Sequence, residues 1–234
     1  MISKNIHVII TAGGLGKRFN KTRTNAAKPK QFLNLLGKPV ILHSLLKFQK
    51  IKEVKSILVS ANNKYFSYIH SQASKYKITK LKTLVDGGST RFLSVRNAFN
   101  ELNCLLDDIV MIHDAARPNV TSGELKLLRD ISFKEGEVIL GRKVQETVKR
   151  TIKDFVSETI SRQDMWLIQT PQAFRYSILS KAYILAGMKI DFTDESSLVE
   201  YAGFNVRVSE GSRNNIKITT LDDLKTLKKL MSNE

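Results

Sequence analysis

The sequence has little cysteine: its 234 residues contain one, Cys104. A single thiol excludes an intramolecular disulfide framework and, on this count, a cysteine-based zinc site. Such low cysteine usage is typical of proteins from a reducing compartment. We expect Cys104 to pack in the core rather than to act as a nucleophile.

The sequence also lacks a long apolar run. No segment approaches about 18 uninterrupted apolar residues, the length that suggests a membrane span. The apolar stretch 6–10 runs straight into a glycine loop, and it has neither the length nor the cleavage site of a secretory peptide. We therefore expect a soluble, cytoplasmic protein with no membrane partner.

Acidic residues are a minority, since 22 Asp and Glu stand against 38 Lys and Arg, giving a net charge of +16. This balance leaves nucleic acid, anionic membranes and phosphorylated small molecules as candidate partners. Aromatic residues make up only 8% of the chain, and no helix-turn-helix, zinc finger or aromatic-rich RNA motif is recognisable. A basic nucleic-acid-binding protein is the alternative from a different class, although we do not expect nucleic acid as a partner.

Short apolar runs alternate with helical patterns along the chain. Predicted strands are Ile6–Thr11, 54–60, 81–85 and 109–113, and predicted helices are 39–50, 64–76 and 91–102. Because these strands are nearly all apolar rather than alternating, we expect a mostly parallel sheet flanked by helices. No repeat or Pro/Gly/Ser-rich linker interrupts the chain, which predicts a single α/β domain over residues 1–234.

Residues 137–168 carry a different pattern. The β-prone pieces 138–140, 146–152 and 155–160 have little core-like apolar content. We interpret this stretch as an arm that leaves the sheet, with 142–165 projecting as a β-hairpin. A hairpin with unpaired edges is marginal alone, so we expect the arm to mediate dimerisation.

A glycine loop follows the first predicted strand, in the stretch 11–18, Thr-Ala-Gly-Gly-Leu-Gly-Lys-Arg. Glycines after a parallel strand let backbone amides converge on an anion. The stretch fails the Walker A pattern at Thr11 and Arg18, and it fails the dinucleotide fingerprint at Phe19. Six cations without an intervening acid follow the glycines: Lys17, Arg18, Lys21, Arg23, Lys28 and Lys30.

Two further predicted strands end in polar motifs. Gly87 and Gly88 follow the third strand, and the fourth ends in Asp114, three residues before Arg117. Because the carboxyl ends of parallel strands share one edge of a sheet, these motifs should lie beside the glycine loop. Asp114 could hold a metal ion or a hydroxyl group, and Arg117 could clamp a phosphate. The structural alternative is that Asp114 and Arg117 form an internal ion pair that fixes the loop after the fourth strand.

Eight motifs occur in order along nearly the whole chain. They are Gly13-x-x-Gly16-x-Arg18, Pro29-Lys30-Gln31, Gly87-Gly88-x-x-Arg91-x-x-Ser94-Val95, His113-Asp-Ala-Ala-Arg-Pro118, Thr147-Val-Lys149, Gln169-Thr-Pro-Gln172, Thr193-Asp-Glu-x-Ser197 and Asn215-Ile-Lys217-Ile-Thr219. Together they resemble the 2-C-methyl-D-erythritol 4-phosphate cytidylyltransferase family of the non-mevalonate isoprenoid pathway. Each motif is weak alone, but eight in order exceed what chance explains.

The resemblance implies a homodimer with a Rossmann-like nucleotidyltransferase fold, which uses Mg²⁺ to transfer CMP from CTP to the phosphate of the erythritol substrate. The catalytic cations would be Arg18, Lys30 and Lys217. The nucleotide-binding residues would be Ala12, Gly13, Gly14, Gly16, Gly88, Ser89, Ser94 and Ala115. The substrate-binding residues would be Asp114, Arg117, Thr147 and Arg162, with the last two reaching across the dimer interface and Asp114 also contacting the metal.

A different polyol phosphate is the alternative substrate. Thr11, Phe19, Ser89 and Glu146 depart from the residues usual in the family. The related ribitol-5-phosphate cytidylyltransferases share the glycine loop, the Pro-Lys-Gln motif and the segment 215–219. They usually have Val where this chain has Ala116, and the motif 193–197 also favours the erythritol enzyme.

Overall fold

The computed structural model describes residues 4–14, 19, 28–187 and 192–232. Its strands are β1 Ile6–Thr11, β2 Asn34–Leu35, β3 Lys38–Pro39, β4 Val54–Ala61, β5 Leu81–Asp86, β6 Ile109–Asp114, β7 Val138–Lys143, β8 Val148–Ile152, β9 Phe155–Ile160, β10 Trp166–Arg175 and β11 Arg207–Glu210. Its α-helices are α1 Val40–Gln49, α2 Phe66–Lys75, α3 Arg91–Asn100, α4 Ser122–Glu135, α5 Tyr176–Ala186, α6 Glu195–Tyr201 and α7 Leu221–Met231.

A seven-stranded sheet in the order β11-β7-β10-β6-β1-β4-β5 forms the centre of the fold. Strand β1 pairs in parallel with β4 and β6, and β4 pairs in parallel with β5. Strand β10 runs antiparallel to both of its neighbours, while β11 is parallel to β7. The sheet is therefore mostly parallel, which confirms the predicted α/β class and the four predicted strands.

The central strands are buried on both faces, which explains their continuous apolar sequences. Along β1, Ile6, Val8 and Ile10 pack into the core on one side of the sheet, together with residues from α1, α2 and α4. The intervening Ile9 packs on the other side, with residues from α3, α5 and α6. Successive side chains of a strand point to opposite faces, so each face of β1 requires its own helical layer.

The helix ends follow their sequence signals. Thr121 accepts a hydrogen bond from the backbone N–H of Glu124, whose carboxylate bonds back to the Thr121 N–H. Thr220 and Asp223 form the same reciprocal pair at the start of α7, satisfying amide groups that would otherwise lack partners. None of the helices in the described part of the chain combines the length and apolar character needed to cross a membrane.

The interpretation of residues 137–168 as an arm is wrong at both ends. Residues 138–140 are buried in the central sheet as part of β7, and Trp166 begins β10. Arg142 and Lys143, assigned to the arm, also belong to β7. Three apolar residues in a row are too few to distinguish a buried strand from a hairpin piece. The separate hairpin is β8–β9, which pairs with itself outside the main sheet.

Candidate active site

A cleft of about 520 Å³ opens at the carboxyl ends of the four parallel strands β1, β4, β5 and β6. Its lining includes the glycine loop after β1, Asn62 after β4, the glycine pair after β5 and Asp114 at the end of β6. Ligands of open α/β sheets bind at this edge. The topology thus brings together motifs that are far apart in the sequence.

The glycine pair after β5 is held in place by Ser94 from α3. The Gly88 N–H donates to Ser94 Oγ at 3.0 Å, and Ser94 Oγ donates to the Thr90 carbonyl at 2.8 Å. A Cβ added to Gly88 would overlap the Leu93 side chain and lie 2.9 Å from its carbonyl carbon. Glycine at this position therefore lets the turn lie flat against the start of α3.

Gln31 supports the glycine loop from the opposite wall of the cleft. Its side-chain amide donates to the carbonyls of Ala12 and Gly14. Gln31 is buried in a 3₁₀ turn, where the neighbouring Lys30 donates from Nζ to the Ile218 carbonyl at 2.5 Å. This turn thus fixes the loop backbone and directs the Lys30 ammonium towards the segment that contains Lys217.

Among the described residues that line the cleft, Asp114 is the one acidic residue, and three cations surround it. Lys217 Nζ lies 2.6 Å from Oδ2, Arg91 Nε lies 3.3 Å from Oδ1, and Arg117 Nε is 3.9 Å away. Burial raises the pKa of the Asp114 carboxyl, but the attraction of these cations outweighs burial and holds the pKa well below its usual range. Asp114 is therefore ionised near neutral pH and acts only as an acceptor.

Arg91 bridges Asp114 to a second carboxylate, Glu195. Its Nη1 lies 2.9 Å from Glu195 Oε2, in addition to its contact with Asp114. Burial disfavours the charge on Arg91, yet the attraction of Glu195 and Asp114 outweighs it and raises the Arg91 pKa. Burial also raises the pKa of Glu195, and Arg91 opposes that shift. The guanidinium fork thus joins α3, β6 and α6 at the cleft wall.

Motifs without an assigned chemical role form the scaffold behind the cleft. Thr170 Oγ1 accepts a hydrogen bond from the Asp114 N–H at 3.0 Å, and the Asn215 side chain donates to the Thr170 carbonyl at 3.0 Å. Arg117 donates to the Asn215 carbonyl at 2.7 Å and to the Ile168 carbonyl. These bonds tie the loop after β6 to β10 and to the segment that contains Lys217.

Most of the predicted site residues that the structure describes meet at the cleft. The residues in its lining are Ala12, Gly13, Gly14, Lys30, Gly88, Ser89, Ser94, Asp114 and Lys217. Ala115 instead packs in the core. Arg117 donates to the Asn215 carbonyl, as expected if it fixes the loop after β6. Gly16 and Arg18 lie outside the described residues.

Thr147 and Arg162 stand apart from the cleft of their own chain. Both are exposed next to the β8–β9 hairpin, and neither belongs to the described cleft lining. Arg162 donates from Nη1 to the Gln145 carbonyl across the base of the hairpin. Within one chain, these two residues therefore stand apart from the predicted site residues that the structure describes at the cleft.

Four residues at or behind the cleft have no role predicted from the sequence: Asn62, Gln31, Arg91 and Glu195. Asn62, Gln31 and Arg91 line the cleft, and Glu195 lies behind it. Three of the four lie inside motifs that carry the family resemblance, and their place in these motifs is the sequence feature that could have identified them. Asn62 lies in no such motif and is found only from the topology, because it follows β4 at the shared sheet edge.

His113 and Cys104 take no part in the cleft. His113 is fully buried and contacts Ser44 and Thr170, and burial lowers its pKa to about 3. Cys104 is half-buried, and burial raises the pKa of its thiol to about 12. The imidazole is therefore neutral and the thiol protonated near neutral pH, which agrees with the absence of an assigned catalytic role for either residue.

Comparisons with known proteins identify the family of the chain. Residues 6–233 match the family model of 2-C-methyl-D-erythritol 4-phosphate cytidylyltransferase. Curated proteins of that name from Alkaliphilus metalliredigens and Syntrophus aciditrophicus are 37% and 39% identical, covering 95% and 92% of this chain and 91% of each relative. The crystal structure of 2-C-methyl-D-erythritol 4-phosphate cytidylyltransferase from Francisella tularensis aligns with 36% identity and a TM-score of 0.77, over 96% of this chain and 98% of that one. The chain therefore belongs to the 2-C-methyl-D-erythritol 4-phosphate cytidylyltransferase family.

Proposed function

We propose that the cleft transfers CMP from CTP to 2-C-methyl-D-erythritol 4-phosphate, with release of pyrophosphate. One observation carries the proposal at the level of the site: Lys30, Arg91 and Lys217 line a cleft that contains a single described acid, Asp114. A net positive cleft with a glycine turn suits a triphosphate and a second phosphorylated substrate. Family membership supplies the identity of the two substrates.

The reaction needs little proton transfer. The second pKa of a phosphate monoester is about 6, so the attacking phosphate is largely dianionic near neutral pH. One of its oxygens forms the new bond to the α-phosphorus of CTP, and the bond from that phosphorus to the bridging oxygen breaks, releasing pyrophosphate. The barrier comes from bringing together two polyanions, so positioning and cationic stabilisation dominate catalysis.

The two lysines of the cleft have roles that follow from their anchoring. The Lys30 side chain is anchored at the Ile218 carbonyl, and Lys217 is anchored at Asp114. Fixed cations stabilise charge as it develops without having to reorganise. We assign Lys30 and Lys217 to the charge on the reacting phosphates, and Arg18 remains a predicted third cation.

The glycine turns serve the nucleotide. Gly13 and Gly87 approach each other closely, since a Cβ on Gly13 would lie 3.8 Å from the Gly87 Cα. Exposed backbone at two adjacent turns can hydrogen-bond both a base edge and phosphate oxygens. We assign the Gly88 turn, with Ser89 and Ser94, to the cytosine and the Gly13–Gly14 turn to the triphosphate.

The residues fit a magnesium ion that enters with the nucleotide. Mg²⁺ at such sites is held by substrate phosphates, water and one or two carboxylates. Asp114 is ionised and would be that carboxylate, although the Lys217 ammonium already contacts its Oδ2. The bound ion would supply further neutralisation of the triphosphate charge.

The β8–β9 hairpin supports a homodimer in which each chain completes the site of its partner. Its tip exposes apolar side chains at Ile152, Phe155 and Val156, with 64%, 79% and 62% of their surface accessible. A partner surface would bury them. Thr147 and Arg162 lie at the base of this hairpin and would then contact substrate in the other cleft. A single domain over residues 1–234 and a cytoplasmic location stay predictions.

The test is pyrophosphate release by purified protein with Mg²⁺, comparing the erythritol substrate with ribitol 5-phosphate and CTP with ATP, GTP and UTP. We expect strong release only with CTP and the erythritol phosphate. Preference for ribitol 5-phosphate would keep the mechanism but overturn the substrate. If no pair of substrates releases pyrophosphate, and the protein retains nucleic acid in a filter-binding assay with a steep dependence on salt, the nucleic-acid-binding alternative is favoured.

A further inference from the structure

A second group of candidate ligands lies at the opposite edge of the sheet from the cleft. His7 stands near the start of β1, and Cys104 and Asp108 stand in the connection between α3 and β6. One potential ligand atom from each residue lies within 4.8 Å of the others. Among the described residues this is the group of His, Cys, Asp and Glu side chains close enough to hold a metal ion, and the cleft contributes none of its members.

The spacing of the two buried ligands already matches a metal site. His7 Nε2 and Asp108 Oδ2 are within hydrogen-bond distance at 3.3 Å, and a metal ion bound between them would replace this contact. Zinc bonds to nitrogen, oxygen and sulfur of about 2.0 to 2.3 Å in a tetrahedron separate the ligand atoms by roughly 3.3 to 3.7 Å. The Cys104 sulfur lies within 4.8 Å of the other two ligand atoms, so it completes the set only by moving to bonding distance of the ion.

The surroundings hold both buried ligands in place. Asp108 accepts hydrogen bonds from the backbone N–H groups of Asn5 and Leu105, at 2.9 and 3.0 Å. His7 Nδ1 lies 2.7 Å from Ser56 Oγ, so a proton on Nδ1 leaves the Nε2 lone pair directed at Asp108. A second partner of this kind on the ligating imidazole is the usual support of a metal-binding histidine.

We propose that His7, Cys104 and Asp108 bind a borderline-soft divalent transition-metal ion of the Zn²⁺ class, with water as the fourth ligand. An imidazole and a thiolate favour such an ion over Mg²⁺, which prefers oxygen. The thiolate and carboxylate together balance its double positive charge. The single cysteine predicted that no cysteine-based zinc site is present, but a ligand set that mixes nitrogen, sulfur and oxygen needs only one thiolate.

Binding requires one proton to leave. The thiol of Cys104 transfers its proton to solvent as the sulfur–metal bond forms, while His7 stays neutral and Asp108 is already ionised. Cys104 is half-buried, which provides access for the ion and for the water ligand. Because His7 is four residues from Thr11, the site lies roughly 13 Å from the cleft along β1. The ion would tie the segment before β6 to β1, stabilising the fold without entering the reaction.

The experiment is a titration of the tag-free, metal-stripped protein with Co²⁺. This ion occupies the same kinds of site as Zn²⁺ and, unlike Zn²⁺, gives absorption bands that report its ligands. Excess Mg²⁺ is kept present so that oxygen sites, including any at the cleft, are occupied. We expect a sulfur-to-cobalt charge-transfer band that saturates at one Co²⁺ per chain and is lost on adding Zn²⁺. Since the chain has one cysteine, such a band can only come from Cys104.

Three variants make the result specific. Cys104→Ser should abolish the band while leaving pyrophosphate release unchanged, and Ser56→Ala should weaken Co²⁺ binding by about 10- to 100-fold, as expected for loss of an outer partner. His70→Asn, which alters an exposed histidine, is the matched control for His7→Asn. The proposal is overturned if wild type shows no band, or if His7→Asn and Ser56→Ala both bind Co²⁺ as tightly as His70→Asn does.

Discussion

Lys30 is the described residue whose removal should cost the most in catalysis. Its ammonium lines the cleft and is fixed at the Ile218 carbonyl, so Lys30→Ala removes a preorganised charge. We expect kcat to fall by roughly 10²-fold or more, the scale of one such donor. Steady-state pyrophosphate release measures this. The control is Lys28→Ala, which removes a nearby cation outside the cleft lining; equal losses in both variants would contradict a specific role for Lys30.

Arg91 is expected to act through the geometry of its fork. It contacts Asp114 and Glu195 with different nitrogens, and the single ammonium of lysine cannot reproduce this bridge. We expect Arg91→Lys to lower kcat/KM about 10-fold, comparable to the loss of one charge-assisted hydrogen bond. Arg96→Lys on the same helix is the control. Retention of full activity in Arg91→Lys would show that charge alone is sufficient at this position.

The buried His113 side chain should make the free energy of unfolding depend on pH. Burial lowers its pKa to about 3, whereas an unfolded histidine titrates near 6.5. Between these values the unfolded chain binds a proton that the folded chain does not, so the free energy of unfolding falls as the pH falls. His113 should contribute a slope of about 1.4 kcal/mol per pH unit in this window.

Urea unfolding at several pH values between about 4 and about 7 measures that slope. His113→Gln should be less stable at neutral pH, because hydrogen bonds are lost, but its slope should be shallower than that of the wild type. His70→Asn, at an exposed position, should keep the wild-type slope. An unchanged slope in His113→Gln would mean that other groups cause the acid destabilisation.

At the residue scale, the sequence predicted residues that line the cleft better than the contacts that hold them in place. Gly88 and Asp114 stand at strand ends, a position that local pattern reveals. The contact between Arg91 and Glu195 joins residues 104 positions apart, and no local pattern encodes that distance. Arg117 donates to the backbone carbonyls of Asn215 and Ile168, and its role as a phosphate clamp stays a prediction.

At the scale of elements, the largely apolar strands of the central sheet were predictable, and the strands that share residues with the predicted arm were not. Strands β1, β4 and β6 are largely apolar and buried, whereas β5 at the sheet edge is only partly buried. All four were predicted within a residue or so of their ends. Strand β7 joins the sheet through three buried apolar residues and then continues into exposed Lys143. Its pairing with β10 and β11 depends on contacts 20 or more residues away, so composition alone placed it in the arm.

The turn after β5 offers a matched pair of glycine substitutions. A Cβ on Gly88 would overlap Leu93 and lie 3.1 Å from the Ser94 nitrogen, whereas a Cβ on Gly14, after β1, has no atom of the described residues within 4 Å. We expect Gly88→Ala to lower the free energy of unfolding by about 1 to 3 kcal/mol, as overpacking does. Gly14→Ala should change it by less than about 1 kcal/mol. Urea unfolding measures both, and equal stability of the two variants would contradict the tight turn.

At the scale of the whole molecule, the hairpin makes a prediction about which chain supplies which residue. Lys30 lines the cleft of its own chain, while Arg162 lies outside that cleft, beside the hairpin. If Arg162 acts in the partner's cleft, a heterodimer of one Lys30→Ala chain and one Arg162→Ala chain contains one site with both defects and one with neither. Each homodimer variant, by contrast, has every site damaged.

Mixing the two inactive variants should therefore restore activity, up to about half of the wild-type turnover per dimer, because one intact site is sufficient for the reaction. Differently tagged chains purified through both tags give the heterodimer, and pyrophosphate release measures its kcat. Co-purified Lys30→Ala chains carrying both tags are the control, because every site in that dimer lacks Lys30. If verified heterodimers recover nothing beyond this control, each site is built from one chain, and the exposed residues at the hairpin tip require a different explanation.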